Sequence, residues 1–151
     1  MDISNFIDYT LLKPSTTEHE IIELCNEAKV HGFYSVCISS CYVSLAKQLL
    51  KGSDVKVVTV VGFPMGSMST LSKVFEAENG IKNGADEIDM VINRGAFLSG
   101  NFDEVANEIT RVRTSCGKAH LKIILETGEL ETLENVRHAS ELAVRASADA
   151  G

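Results

Sequence analysis

The sequence predicts an α/β fold built on a parallel sheet, and three observations carry that expectation. Short β-type runs alternate with segments whose apolar residues recur at helical spacing, giving five βα units in a row. No Asn-Gly or similar hairpin signal separates the strands, so the connections read as right-handed helical crossovers. The strongest strand, residues 55–63, carries Val55, Val57, Val58, Val60 and Val61, a density of β-branched residues suited to a sheet covered on both faces. The 151 residues fit one domain with a sizeable core. Two architectures satisfy this pattern, a doubly wound open sheet and a (β/α)8 barrel.

The elements follow in order. Residues 6–12 form the first β-type run. Thr17 then reads as a helix N-cap, with Glu20 completing a capping box. Ile21, Leu24, Cys25 and Ala28 recur at helical spacing until Gly32 stops the helix. Residues 34–39 make the second strand, and a short helix over 42–50 presents Val43, Ala46, Leu49 and Leu50. After the strand at 55–63 comes the loop Gly62-Phe-Pro-Met-Gly-Ser, whose Met65 and Met68 read as packing residues. The helix over 70–83 carries Leu71, Val74, Phe75, Glu78 and Ile81, with Gly84 at its end. Residues 87–93 form the fourth strand, and a helix over 102–116 presents Phe102, Val105, Ile109 and Val112. Residues 121–127 form the fifth strand, and a last helix over 132–146 presents Leu133, Val136, Ala139 and Ala143.

Composition excludes several classes. Formal net charge is −7, and the 14 Lys and Arg are scattered without a basic stripe, which argues against nucleic acid and anionic membranes as partners. The apolar runs are too short to span a bilayer, and the N-terminus has neither the basic region nor the apolar core of a signal peptide. Cys25, Cys37, Cys41 and Cys116 form no CxxC pair and no zinc spacing, so they read as reduced thiols of a cytoplasmic protein with no bound metal. The four histidines do not cluster and read as surface or packing residues. Neither a GxGxxG nor a GxxxxGK[ST] loop is present, so no nucleotide cofactor is expected.

Chemistry is expected at the carboxyl ends of the strands. The polar residues placed there are Asp8, Thr10, Cys37, Ser39, Thr59, Asp89, Asn93, Lys122, Glu126 and Thr127. Asp89 stands among apolar residues in the segment Gly84-Ala-Asp-Glu-Ile-Asp-Met-Val-Ile-Asn, and Lys122 stands between Leu121 and Ile123. Buried charges persist only when paired or in use, so Asp89 and Lys122, on adjacent strands, read as partners. Such a pair serves either acid–base chemistry or strand packing alone.

Five segments together resemble the deoxyribose-phosphate aldolases. They are Asp8-Tyr-Thr-Leu-Leu-Lys-Pro, Ser35-Val-Cys-Ile-Ser, Val60-Val-Gly-Phe-Pro-Met-Gly, Asn83-Gly-Ala-Asp-Glu-Ile-Asp-Met-Val-Ile-Asn and Leu121-Lys-Ile-Ile-Leu-Glu-Thr-Gly. The resemblance implies a (β/α)8 TIM barrel. It also implies reversible aldol cleavage of 2-deoxy-D-ribose 5-phosphate to D-glyceraldehyde 3-phosphate and acetaldehyde through a Schiff base on a lysine. It makes Asp89 the proton donor and acceptor, acting through an ordered water. It makes Lys122 the supporting lysine beside Asp89, and places Asp8, Thr10 and Cys37 near the substrate. The implied partner is a small phosphorylated sugar, with no metal or organic cofactor, and members of the family often form homo-oligomers.

One departure from the family pattern shapes the expectation. In the family the Schiff-base lysine lies on the sixth strand, in a Lys-Thr-Ser-Thr-Gly segment. Here Ala148 and Asp149 read as the lead-in to that strand, and the sequence ends at Gly151. The chain is therefore expected to be the N-terminal part of a single barrel domain, with about five of eight βα units, truncated before the Schiff-base lysine and the phosphate-binding loops, and inactive by itself. Exposed sheet edges would then make it depend on its missing half or on another copy. A non-catalytic relic, or an open α/β module that binds a partner, is the competing expectation.

Overall fold

Five parallel strands, taken in chain order, are neighbours in one sheet with order β1-β2-β3-β4-β5. The computed structural model describes residues 3–148. The strands are β1 (Asp8–Leu11), β2 (Ser35–Ile38), β3 (Lys56–Val61), β4 (Glu87–Val91) and β5 (His120–Ile124). The helices are α1 (Glu18–His31), α2 (Val43–Leu49), α3 (Thr70–Asn83), α4 (Arg94–Leu98), α5 (Phe102–Ser115) and α6 (Leu133–Ala148). The proposed lead-in at Asp149 lies outside the described residues.

The strand order decides between the two architectures. A doubly wound sheet reverses its order at a switch point, whereas this order never reverses. Right-handed crossovers between sequential strands put every helix on one face. The helices accordingly pack in succession, α1 on α2, α2 on α3, α3 on α5 and α5 on α6. The sheet is also strongly curled. In a flat sheet, β1 and β5 would lie roughly 19 Å apart, four strand spacings. Yet Asp8 on β1 and Lys122 on β5 meet at 3.0 Å across the concave face. This is the wall of a barrel, not an open sheet.

Side-chain alternation then divides the sheet into two faces. Val36, Ile38, Val57, Val61, Ile88 and Met90 join the helices in the main core, with Ile21, Leu24, Cys25 and Ala28 of α1. The concave face holds a small apolar cluster, Cys37, Val58 and Val60, with Leu12 against it. By strand parity Val91 and Ile124 also face this side, beside the polar residues described below.

Local signals behaved as their chemistry dictates. Thr17 accepts from the Glu20 N–H, the Glu20 carboxylate reaches back to the Thr17 N–H at 2.7 Å, and Gly32 closes α1 at φ +62°. Cys25 and Cys116 are buried as small hydrophobes. His138 packs against Phe97 and Phe102, and His31 stacks on Phe33.

Two helix faces are corrected. On α3 Val74 and Ile81 pack against the core as expected, but the buried residues are Lys73, Ala77 and Gly80, while Leu71 and Phe75 are 67% and 72% exposed and Glu78 also faces out. The reason is distance. A Cβ at Gly80 would sit 3.0 Å from Thr59 Cγ2 and 3.2 Å from Ile88 Cδ1, so at this position α3 lies too close to the sheet for a larger side chain. On α6, Leu133 starts the helix in solvent, and Ala139, Ala143 and Ala146 make the buried face. Met65, expected to pack, is exposed. The short helix α4 follows β4, in a stretch for which the sequence predicts no element. Among the described residues, no helix is long and apolar enough to cross a membrane.

Candidate active site

Asp89 is the third residue of β4 and projects onto the concave face, in register with Val60 of β3 and Lys122 of β5. The β4 register forces this neighbourhood, because parallel pairing sets Asp89 and Lys122 side by side on the same face. Lys122 Nζ lies 2.6 Å from Asp89 Oδ2, 3.0 Å from Asp8 Oδ2 and 3.9 Å from Glu87 Oε1. One ammonium therefore serves three carboxylates. Ser35 Oγ donates to Asp8 Oδ1 at 2.5 Å, which fixes the Asp8 carboxylate toward Lys122. Tyr34 reaches Glu87 Oε2 at 3.5 Å.

Burial and charge pull these groups apart in acidity. The Asp89 side chain is 5% exposed, and its Oδ1 is buried with no hydrogen-bond partner among the described residues. Burial raises its pKa to about 6, with Lys122 opposing the rise and the charges of Glu87 and Asp8 adding to it. Burial would also raise Asp8, but the Ser35 hydroxyl and Lys122 outweigh it and hold Asp8 below the usual carboxylate range. Burial works against the charge on Lys122. Its bonds to Asp89 and Asp8 win, and the ammonium is held well above the usual lysine range. Cys37 is pushed up to about 12, by burial first and then by the Asp89 charge, so its thiol stays protonated at neutral pH.

This arrangement can hold and move a proton near neutrality at Asp89, with Lys122 permanently charged beside it. A lysine kept ionised is a poor amine nucleophile, so Lys122 does not suit Schiff-base formation. No group of three or more His, Cys, Asp or Glu among the described residues is arranged to hold a metal ion.

The sequence-selected residues separate into two sets. Asp89, Lys122, Asp8 and Cys37 come together on the concave face. Thr10 pairs in register with Cys37, and its hydroxyl donates to the Asp8 carbonyl at 2.9 Å. Asp8 is corrected in one respect, since it opens β1 instead of closing it. Thr59 turns to the helices and donates to the Ile38 carbonyl at 2.9 Å. Asn93 lies past β4 and caps α4 by accepting from the Ala96 N–H. Ser39 precedes a 3-10 turn without capping it, and Glu126, at φ 54°, leads into another 3-10 turn that begins at Thr127. None of these joins the Asp89 group.

Sequence reasoning missed Glu87 and Ser35, which share the concave face with Asp89 and Asp8. The signal was available in strand parity, because Glu87 is two residues before Asp89 and Ser35 two before Cys37. It also missed Arg94, which joins three strand-to-helix loops. Arg94 Nε lies 3.0 Å from Glu129 Oε2, and its guanidinium donates to the Met65 carbonyl at 2.8 Å and to the Pro64 carbonyl at 3.4 Å.

Gly66 lets the loop after β3 approach that of β4. Its φ is +68°, and a Cβ there would meet the Ile92 carbonyl oxygen at 2.1 Å. Gly66→Ala is therefore expected to destabilise the fold by about 2–4 kcal/mol through strain and forced loop displacement. Urea unfolding measures this, and an unchanged midpoint would show that the two loops can separate freely.

Comparison with known proteins agrees with the curled sequential sheet. Residues 6–150 match the sequence model of the DeoC/LacD family aldolases. A deoxyribose-phosphate aldolase of Thermoanaerobacter pseudethanolicus is 50% identical over 152 aligned residues, covering 99% of this chain and 68% of the relative. The solved aldolase QR15 superposes with a TM-score of 0.90 at 35% identity, covering 97% of this chain and 65% of that one. A tetrameric deoxyribose phosphate aldolase from Aeropyrum pernix superposes with a TM-score of 0.80 at 29% identity, covering 99% of this chain and 61% of that one. The chain thus spans about two thirds of the curated relative's length and somewhat less of the solved structures. Five parallel βα units wound as a barrel wall, matched over nearly their whole length, place this chain in the DeoC/LacD family of aldolases.

Proposed function

We propose that this chain supplies the first five βα units of a deoxyribose-phosphate aldolase barrel, and with them the proton-transfer half of its site. The single observation behind this reading is Asp89, a buried carboxylate with a pKa of about 6, one oxygen on Lys122 and the other without a partner among the described residues. The relatives that match most of the chain are deoxyribose-phosphate aldolases, which supports 2-deoxy-D-ribose 5-phosphate as the substrate.

In this reading Asp89 takes and returns protons through water during cleavage of the carbon–carbon bond. Lys122 keeps Asp89 oriented and compensates its charge, while Asp8, Thr10 and Cys37 line the substrate's approach. The Schiff-base amine is assigned to a sixth strand, as the family pattern implies, because the bonds of Lys122 to Asp89 and Asp8 hold that residue protonated. The residues described here are thus one part of a single barrel domain, whose remaining units carry that lysine and the phosphate site. The tetrameric relative favours a homo-oligomer for the completed barrel.

The test mixes this chain with the C-terminal third of the Thermoanaerobacter pseudethanolicus relative and follows glyceraldehyde 3-phosphate release. Turnover is expected on mixing and not with either piece alone. Borohydride trapping with the sugar phosphate should place the adduct on the added piece. An adduct on Lys122, or a stable complex with no turnover, would overturn the reading.

A further inference from the structure

A second charged pair lies behind β4, outside the concave face. Lys73 of α3 and Glu108 of α5 meet at 2.7 Å, with side chains 0% and 3% exposed. Burial of both charges is costly, so the contacts they make are informative. Lys73 Nζ also donates to the Val91 carbonyl at 2.8 Å. Glu108 Oε1 also accepts the Asn93 N–H at 3.2 Å. Val91 closes β4, and Asn93 is two residues beyond. The last register pair between β3 and β4 is Val61↔Met90, after which β3 turns off at Gly62 with φ +66°. The ion pair therefore binds the backbone of β4 at the point where β3 stops doing so.

The fit around it is close. A Cβ at Gly62 would lie 2.8 Å from Lys73 Cε, so the glycine makes room for the lysine stem. The Gly62 N–H donates to Glu76 Oε2 at 2.8 Å, so α3 holds the exit of β3 as well. One helix thus fixes the end of β4, which carries Asp89, and the end of its neighbour β3.

We propose that Lys73 and Glu108 are positioning residues that hold the carboxyl end of β4 and so set the placement of Asp89 against Lys122. This rests on the proton-transfer role proposed for Asp89. Asp89 is two residues before Val91 on the same strand. Movement of β4 would shift its carboxylate, together with Glu87 on the same strand, relative to the groups that face it from other strands: Lys122 of β5, Asp8 of β1 and Cys37 of β2. Proton transfer is sensitive to such shifts, and a misplacement of about 1 Å can cost about 100-fold in rate.

The test uses Glu108→Gln and the double variant Lys73→Met with Glu108→Leu. The first keeps an acceptor for Asn93 and Lys73 but removes the charge. The second removes both charges together and leaves neither unpaired, which keeps the helices packed. Two readouts are taken. Carbon-13 carboxyl NMR on this chain follows the titration midpoint of Asp89. Reconstitution with the C-terminal piece of the relative gives kcat and KM.

The double variant is expected to melt cooperatively, to displace the Asp89 midpoint, and to lower kcat by about tenfold or more with KM little changed. Glu108→Gln should fall between it and the parent. A cooperatively folded double variant with the parental midpoint and kcat would overturn the proposal and leave the pair a purely structural one. Absence of turnover in the parent mixture would strike at the proposed function instead, and the NMR midpoint would still decide the positioning role.

Discussion

Asp89→Asn is expected to lower cleavage of 2-deoxyribose 5-phosphate by about 10²- to 10⁴-fold in the reconstituted barrel while leaving the fold intact. Asn keeps the shape and one acceptor oxygen for Lys122 but cannot take a proton. Lys122 is not stranded by the change, because Asp8 remains 3.0 Å away. Stability should move the other way. The folded pKa of Asp89 is raised from 3.8 to about 6, so the folded chain holds that proton more tightly than the unfolded chain does. The stabilisation this gives is complete below about pH 4 and is lost as pH rises through 6. At pH 8 the ionised side chain is a net cost, which Asn removes. Urea midpoints for the variant should match or exceed the parent at pH 8, and that advantage should shrink toward pH 4. Turnover with Asp89→Asn close to the parental rate would remove Asp89 from the chemistry. A large loss of stability at pH 8 would instead mean that its charge is holding the barrel wall together.

Much of this organisation was legible because it depends on local chemistry. Thr17 with Glu20, and Gly32 after Ala28, define a helix whatever surrounds it. Asp89 and Lys122 were found because each interrupts an apolar strand, and parallel register places them opposite one another. What escaped depends on the curvature of the sheet and on distances between layers. Nothing in residues 8–12 announces that Asp8 will meet a lysine 114 positions away, since that contact exists only once the sheet curls. The face of α3 was misread for a related reason. Leu71 and Phe75 look like core residues until the short distance between helix and sheet is known. That distance admits Ala77, Gly80 and the slender stem of Lys73 instead. Small residues at positions 77 and 80, one helical turn apart, were the available clue to close packing.

The concave face also explains why Lys122 and Lys73 act differently despite both being lysines on interior surfaces. Lys122 is 45% exposed and surrounded by three carboxylates, so charge attraction outweighs desolvation and its pKa rises. Lys73 is fully enclosed with one carboxylate and a carbonyl, so desolvation prevails and its pKa is lowered. The first remains a fixed cation, half-exposed on the concave face. The second stays charged only through its bonds to Glu108 and Val91.

That dependence makes Lys73→Met the substitution with the largest expected effect on stability, a loss of about 3–5 kcal/mol by urea unfolding. Methionine fills nearly the volume of the lysine stem, so a cavity is not the cause. The loss comes from Glu108, left 3% exposed with its charge answered only by the Asn93 N–H, and from the Val91 carbonyl, left without its donor. Glu108 should then hold a proton to still higher pH, since burial already raises its pKa with Lys73 in place. The single variant should therefore regain stability as pH falls. Adding Glu108→Leu removes the stranded carboxylate, and the double variant should recover most of the loss at pH 8. The coupling between the two sites in a double-mutant cycle would then be strongly favourable, as expected for charges that need each other only because both are dry. A single-variant loss below about 1 kcal/mol, the range of solvent-exposed pairs, would mean that water reaches Glu108 and that the end of β4 is held by other means.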